Sequence, residues 1–176
     1  MDWDQLAEEK SQKLYAGWLK LLLRESPALT LKLATQHRPG FQATSASDFT
    51  TGSFNMCSIV TFEDDFRALV RFPILSQSRF CCKKTSDELL MMAFIARHTS
   101  IPVPTIIGTG KWSCDSYIVT TVVEGSLLSK LRDPSKLAPS LNPDVSESDL
   151  KTAYSGMAQI VLDLFKPVFK YIGVLQ

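Results

Sequence analysis

Hydrophobic positions near the start of the chain recur at the spacing of an α-helix. From Trp3 to Leu23, apolar residues recur at roughly helical spacing, with Glu, Lys and Gln between them. Residues at this spacing share one face of a helix, so one long amphipathic helix is predicted. Its polar face mixes charges of both signs, which favours packing on the next domain over a membrane surface. A shorter helix is predicted within 27–40, and residues 1–45 together form an N-terminal helical extension.

The pattern then changes to one typical of strands, interrupted by one helix. Residues 49–72 are rich in Thr, Val, Ile and Phe, and polar residues at 52–53 and 63–65 divide them. An α+β fold class is predicted for residues 46–123, with a five-stranded antiparallel sheet and one helix. The first predicted strand ends near Gly52, and the other four cover Asn55–Phe62, Ala68–Phe72, Thr105–Trp112 and Tyr117–Val123. The predicted helix, Thr85–Arg97, lies between the third and fourth strands.

Residues 124–176 are predicted to be mostly helical. A polar stretch containing prolines follows Gly125, with a short helix near Leu127–Leu131. Apolar residues from Leu150 to Phe165 then follow the i, i+3, i+4 rule. Either Ser146 or Ser148 can cap this last helix, and Pro167 ends it.

Composition narrows the class of protein. The chain has 176 residues, of which 45% are hydrophobic and 21% charged, so it can bury a core as one domain or two small lobes. Its net charge of +1 gives no reason to expect nucleic acid or a membrane as partner. The four cysteines lack Cys-x-x-Cys spacing, so no metal site is expected. No secretion signal and no apolar stretch of membrane-spanning length is visible, which predicts a cytoplasmic location.

Four segments, in this order and spacing, resemble the aminoglycoside phosphotransferase family, which has a protein-kinase-like fold. They are Gly-Ser-Phe-Asn at 52–55, Ala-Leu-Val-Arg-Phe-Pro at 68–73, Ile-Pro-Val-Pro at 101–104 and Tyr-Ile-Val-Thr-Thr-Val-Val-Glu-Gly at 117–125. The resemblance covers roughly residues 49–175. It implies a kinase-like N-lobe at 46–123, followed by a hinge and part of a helical C-lobe at 124–176.

The resemblance also implies a nucleotide site. The turn formed by Gly52, Ser53 and Phe54 would cover the phosphates of ATP. Arg71 stands where a kinase-like lobe has the lysine that holds the α- and β-phosphates, and Glu88 on the following helix would orient it. In the hinge, Thr121 and Val123 would bind adenine through backbone groups. ATP is therefore the expected ligand, bound weakly, and magnesium is the family's metal.

Each of these residues also has a plain structural interpretation. Gly52 can belong to an ordinary hairpin turn. Arg71 can point outward from an edge strand. The run Thr85-Ser86-Asp87-Glu88 matches a capping box, in which Glu88 would bond the amide of Thr85 at a helix start. The hinge residues can be a buried strand followed by a glycine turn.

Phosphoryl transfer needs residues that this sequence does not contain. The family's catalytic loop is written His-Gly-Asp followed by Asn, and a second Asp holds magnesium. The two histidines, His37 and His98, are followed by Arg-Pro and Thr-Ser. The resemblance therefore implies a chain truncated before the catalytic loop, with no catalytic residues, no magnesium ligands and no turnover. The acceptor, a small-molecule hydroxyl in the family, stays undetermined.

A second hypothesis is a non-catalytic interaction module or pseudokinase fragment. The apolar positions of the last helix would pack on further C-lobe helices in a complete kinase-like domain. If they are uncovered, they favour a protein partner or self-association.

Overall fold

The computed structural model describes residues 3–75, 81–113, 115–125, 131, 133 and 140–168, apart from the side chains of residues 81 and 82. Within these ranges the fold is α+β, as the sequence predicts, with four helices and a six-stranded sheet. In chain order the elements are α1 (Trp3–Glu25), α2 (Ala28–Gln36), β1 (Ala43–Ala46), β2 (Thr50–Thr51), β3 (Asn55–Phe62), β4 (Arg67–Pro73), α3 (Cys81–His98), β5 (Ile106–Trp112), β6 (Asp115–Thr121) and α4 (Glu147–Phe165).

The described chain divides into two compact units. The first contains residues 1–91 and 104–122, and it holds the whole sheet. The second contains residues 92–103 and 123–176. No helix within the described ranges is both long enough and apolar enough to cross a membrane.

The sheet has six strands, so the predicted count of five is wrong. All pairings are antiparallel, the order is β1-β3-β4-β6-β5, and β2 also pairs with β3. The strand predicted to end near Gly52 is two short strands, β1 and β2, on the same edge of β3. At Ser47 a side chain interrupts the ladder between them: its hydroxyl accepts from the Ile59 amide at 2.9 Å, while its carbonyl accepts from the Ser58 hydroxyl at 2.7 Å.

One side of the sheet, which we call the back face, packs on α1 and α2. Along β3 and β4 every second residue is buried, as expected for strands whose side chains alternate between faces. The buried set packs with four residues of the two helices, Trp18, Leu22, Leu33 and Ala34. The predicted N-terminal helices are therefore part of the main core. Because α1 and α2 bury apolar side chains against the sheet, they contribute directly to its stability.

The other side of the sheet, the Arg71 face, packs on the first part of α3. Its residues on β3 and β4, which include Cys57, Leu69 and Arg71, stay partly exposed. Helix α3 begins at Cys81, four residues before the predicted start. Thr85 therefore lies inside the helix, and the capping-box interpretation is wrong.

The second unit is organised around α4. Ser146 caps the helix, accepting a hydrogen bond from the Asp149 amide at 3.1 Å. Near its end, Asp163 is buried and accepts hydrogen bonds from Ser100, from Gln159 at 3.1 Å and from Lys166 at 2.5 Å. The Lys166 bond is the main cause that lowers the pKa of Asp163. The helix predicted near residues 127–131 lies outside the described residues except for Leu131.

Candidate functional site

An arginine and a glutamate meet on the Arg71 face. Strand β4 carries Arg71, and it lies between β3 and β6, so the alternative of an edge strand is wrong. About two turns into α3, Glu88 points back at the sheet, and its Oε1 accepts a hydrogen bond from Arg71 Nη2 at 2.5 Å. The side chains are 19% and 34% exposed. The structure thus brings together the two residues for which the resemblance implies the roles of phosphate clamp and orienting acid.

The protein satisfies the Arg71 guanidinium only in part. Arg71 Nε is buried, and it has no hydrogen-bond acceptor among the described residues. Such buried unpaired donors are uncommon in native proteins, and leaving one unpaired costs about 1–3 kcal/mol. Opposite Arg71 on β3 is Cys57, a free thiol. Burial raises the pKa of Cys57, and the charge of Arg71 opposes this shift.

The predicted phosphate-covering turn joins β2 to β3 as a hairpin turn. The Gly52 amide donates to the Asn55 carbonyl at 2.8 Å, so this amide already has an acceptor. Phe54 is 53% exposed, and Lys84 of α3 lies over its ring, with Nζ 4.4 Å from the ring centroid. The Phe54 carbonyl accepts from the Ile74 amide at 2.8 Å. These contacts place the turn beside the end of β4 and the start of α3.

The predicted adenine-binding residues lie at the end of β6 and just beyond it. Thr121 is the last residue of the strand, and both its amide and its hydroxyl bond to the backbone of Thr105, at 2.9 and 3.0 Å. Val123 lies beyond the strand and its side chain is 70% exposed. Thr120, just before, is buried on the Arg71 face and pairs with Leu69. The strand therefore begins two residues before the predicted Tyr117 and ends two residues before the predicted Val123.

Two buried hydroxyls form a contact on the same face that the sequence does not predict. Thr85 of α3 and Ser116 of β6 are each 5% exposed, and their hydroxyl oxygens lie 2.9 Å apart. Thr85 precedes Glu88 by three positions, so both side chains lie on the same side of α3. The run Thr-x-x-Glu indicates that Thr85 and Glu88 share one side of a helix. The same run is also the pattern of a helix start, which is the capping-box interpretation.

A second arginine site, also not predicted, lies on the other side of the sheet. Arg38 follows α2 and makes two hydrogen bonds of 2.6 Å to the two carboxylate oxygens of Asp64 in the β3–β4 turn. Its guanidinium carbon lies 4.1–4.9 Å from three aromatic ring centroids, those of Phe41, Phe62 and Phe66. The hydrogen bond from Arg38 lowers the pKa of Asp64 to about 2. The Asp64 carboxylate is therefore paired with the guanidinium of Arg38.

Neither a group of metal-binding side chains nor a match to a known protein accompanies these contacts in the part of the chain that the structure describes. In the described ranges, no three His, Cys, Asp or Glu side chains come together in a way that could hold a metal ion. No model of a known protein family matches the chain, and no curated protein matches it.

Proposed function

We propose that this chain is a nucleotide-binding protein related to the aminoglycoside phosphotransferases, and that it binds the phosphates of ATP at Arg71. The observation that carries the proposal is the Arg71–Glu88 pair, with a 2.5 Å hydrogen bond on a partly exposed face. A carboxylate that binds one side of a guanidinium fixes its orientation. The remaining N–H groups can then bind a phosphate oxygen in a defined direction.

The surroundings of Arg71 support an anion as the ligand. Arg71 Nε lacks an acceptor among the described residues, and an anion that displaced the groups covering it would supply one. The opposite face of the sheet is filled by α1 and α2, whereas Cys57, Leu69 and Arg71 retain exposed surface. A ligand therefore has access from the Arg71 side.

The role proposed for the 52–54 turn is narrower than the resemblance implies. Since the Gly52 amide is bonded within the hairpin, phosphate contacts from this turn would come from Ser53 and Phe54. For the adenine end, the Thr121 amide is likewise bonded, to Thr105. Phosphate binding at Arg71 is thus the part of the site with the most support, and we propose weak ATP binding without phosphoryl transfer.

Calorimetric titration with ATP, with and without magnesium, tests the proposal. We expect wild-type protein to bind, and Arg71→Ala to bind roughly 10- to 100-fold more weakly, since hydrogen bonds to charged groups contribute about 1.5–3 kcal/mol. The matched control is Arg67→Ala, which removes the same charge from the same strand, at a position whose side chain is exposed. Absence of binding by the wild type, or equal loss in both variants, would refute the proposal.

A second candidate function, protein interaction, is supported by α4. Seven large apolar side chains of this helix are between 42% and 84% exposed: Tyr154, Met157, Ile160, Val161, Leu162, Leu164 and Phe165. Surfaces of this kind commonly mark contact sites with other proteins. Sedimentation velocity over a range of protein concentrations tests self-association. Val161→Lys should then lower the sedimentation coefficient, whereas Thr152→Lys, on the same helix, should not.

A further inference from the structure

The Arg71–Glu88 pair is held by side chains that are themselves partly in water. Glu88 is 34% exposed and bonds a single nitrogen of Arg71. Ion pairs with this degree of exposure contribute little and are screened by salt. They are therefore poor anchors for a helix. Something else must keep α3 at the position from which Glu88 reaches the sheet.

The Thr85–Ser116 contact has the properties of such an anchor. Both residues are almost fully buried, and the two hydroxyls are 2.9 Å apart. Breaking the contact would leave a buried polar group without a partner, which is unfavourable in a low-dielectric interior. Thr85 is also unusual for a threonine inside a helix. Such hydroxyls often bond the carbonyl four residues earlier, whereas this one reaches a strand 31 residues away.

The positions of the two contacts couple them. On α3, Thr85 and Glu88 lie three residues apart on one side of the helix. On β6, Ser116 and Ile118 are two residues apart and share a face, and Ile118 pairs with Arg71 of β4. The hydroxyl pair and the ion pair thus join the same side of α3 to adjacent strands. A rotation or shift of α3 that breaks one contact moves the other.

We propose that Thr85 and Ser116 are positioning residues for the anion site: their hydrogen bond fixes α3 so that Glu88 orients Arg71. The inference rests on the proposed nucleotide site for its functional meaning. Its structural part, the dependence of the Arg71–Glu88 pair on the hydroxyl pair, stands separately and can be measured without nucleotide.

The Arg71 Nε–Hε signal in ¹H–¹⁵N NMR spectra of the full chain reports the ion pair through the guanidinium group, because Nε and the Nη2 that bonds Glu88 belong to the same planar group. Arg71→Lys identifies the signal by its disappearance, and Glu88→Gln gives its position in the unpaired state. We expect Thr85→Val and Ser116→Ala to move it toward the Glu88→Gln position, and Thr85→Ser to restore it. Ser58→Ala is the matched control, because it removes another buried serine hydroxyl, from β3 on the back face.

ATP titration of the same variants adds the functional readout. Thr85→Val should weaken binding roughly 3- to 10-fold, the loss expected for one hydrogen bond, and Thr85→Ser should recover it. If wild-type protein binds no ATP, the proposed function fails, and the NMR signal alone judges the positioning role. If the signal stays in place in both Thr85→Val and Ser116→Ala, the positioning role is refuted even when ATP binds. Should Thr85→Val not fold, Ser116→Ala decides the outcome by the same signal.

Discussion

The two faces of the sheet differ in what their side chains are arranged to do. On the back face, Val60, Val70 and Phe72 are completely buried under α1 and α2, and aromatic rings pack edge to face around Phe72. On the Arg71 face, residues of the same two strands stay partly exposed and include a charge and a thiol. Alternate residues of β3 and β4 therefore have different roles: those on the back face stabilise the fold, and those on the Arg71 face include the proposed binding residue.

Two arginines show the same difference in detail. Arg38 makes two bonds of 2.6 Å to Asp64 and has three aromatic rings around it. Among the described residues, Arg71 bonds Glu88 through Nη2, and its Nε lacks an acceptor. An arginine that pairs with a carboxylate through two parallel bonds has its charge matched within the fold. One with a buried donor that lacks an acceptor is better suited to bind an anion.

The largest effect should come from opening the back face. Phe72→Ala removes a fully buried ring that contacts Phe49 and Trp112, with centroids 5.9 and 5.6 Å away. We expect a loss of about 3–5 kcal/mol in the free energy of unfolding, measured by urea denaturation. Leu69→Ala, on the same strand but on the Arg71 face, should cost less than about 2 kcal/mol. Equal losses in the two variants would contradict the inference that the back face contributes more to stability than the Arg71 face.

A smaller effect is expected where β5 meets the end of α2. A Cβ at Gly108 would lie 2.1 Å from His37 Nδ1, and a 2.9 Å hydrogen bond to the Tyr117 hydroxyl holds the His37 ring. Gly108→Ala should therefore cost about 1–3 kcal/mol in urea denaturation, as overpacked sites do. Adding His37→Ala should remove part of that cost, because the two residues are in contact.

Gly52 provides the matched control for this clash. A Cβ there would meet only the Asn55 carbonyl, at 3.6 Å, which is an ordinary contact. Gly52→Ala should change stability by less than about 0.5 kcal/mol. A large loss at Gly52, or none at Gly108, would show that the packing at the two sites is misassigned.

The sequence predicts what depends on local periodicity. Strands β3 and β4 are rich in β-branched and aromatic residues, and α1 and α4 repeat at helical spacing, so these elements agree with the predictions to within a few residues. Arg71 and Glu88 could be paired only through the resemblance, because 17 residues separate them. Their contact is found in the structure, whereas nucleotide binding stays a prediction.

Features that depend on distant partners could not be predicted. The ladder breaks at Ser47 because its hydroxyl bonds the Ile59 amide, 12 residues away. Thr85 matches a helix cap in its local sequence, and its actual partner, Ser116, is 31 residues away and cannot be inferred from that local pattern. Arg38 lies in a turn signal, and nothing local indicates that Asp64 binds it. In each case the partner of the polar side chain is distant in sequence, and for Thr85 and Ser116 burial makes their bond costly to leave unmade.

The smallest effect should come from the ion pair that closes the back face, and it should depend on pH. The pKa of Asp64 falls from its ordinary 3.8 to about 2 because Arg38 bonds the carboxylate. A depressed pKa in the folded state means that the contribution to stability is present above pH 3.8. It is lost as the pH falls from 3.8 toward 2.

Asp64→Asn should therefore lower the urea midpoint at neutral pH, and the difference from wild type should shrink between pH 3.8 and about 2. Added salt should reduce it as well, since both side chains reach solvent. Asp48→Asn, an exposed carboxylate beside β2, is the control and should show neither dependence. A difference that persists unchanged below pH 2 would mean that Asp64 acts through the geometry of its turn, and that the charge of Arg38 does not hold the hairpin against α2.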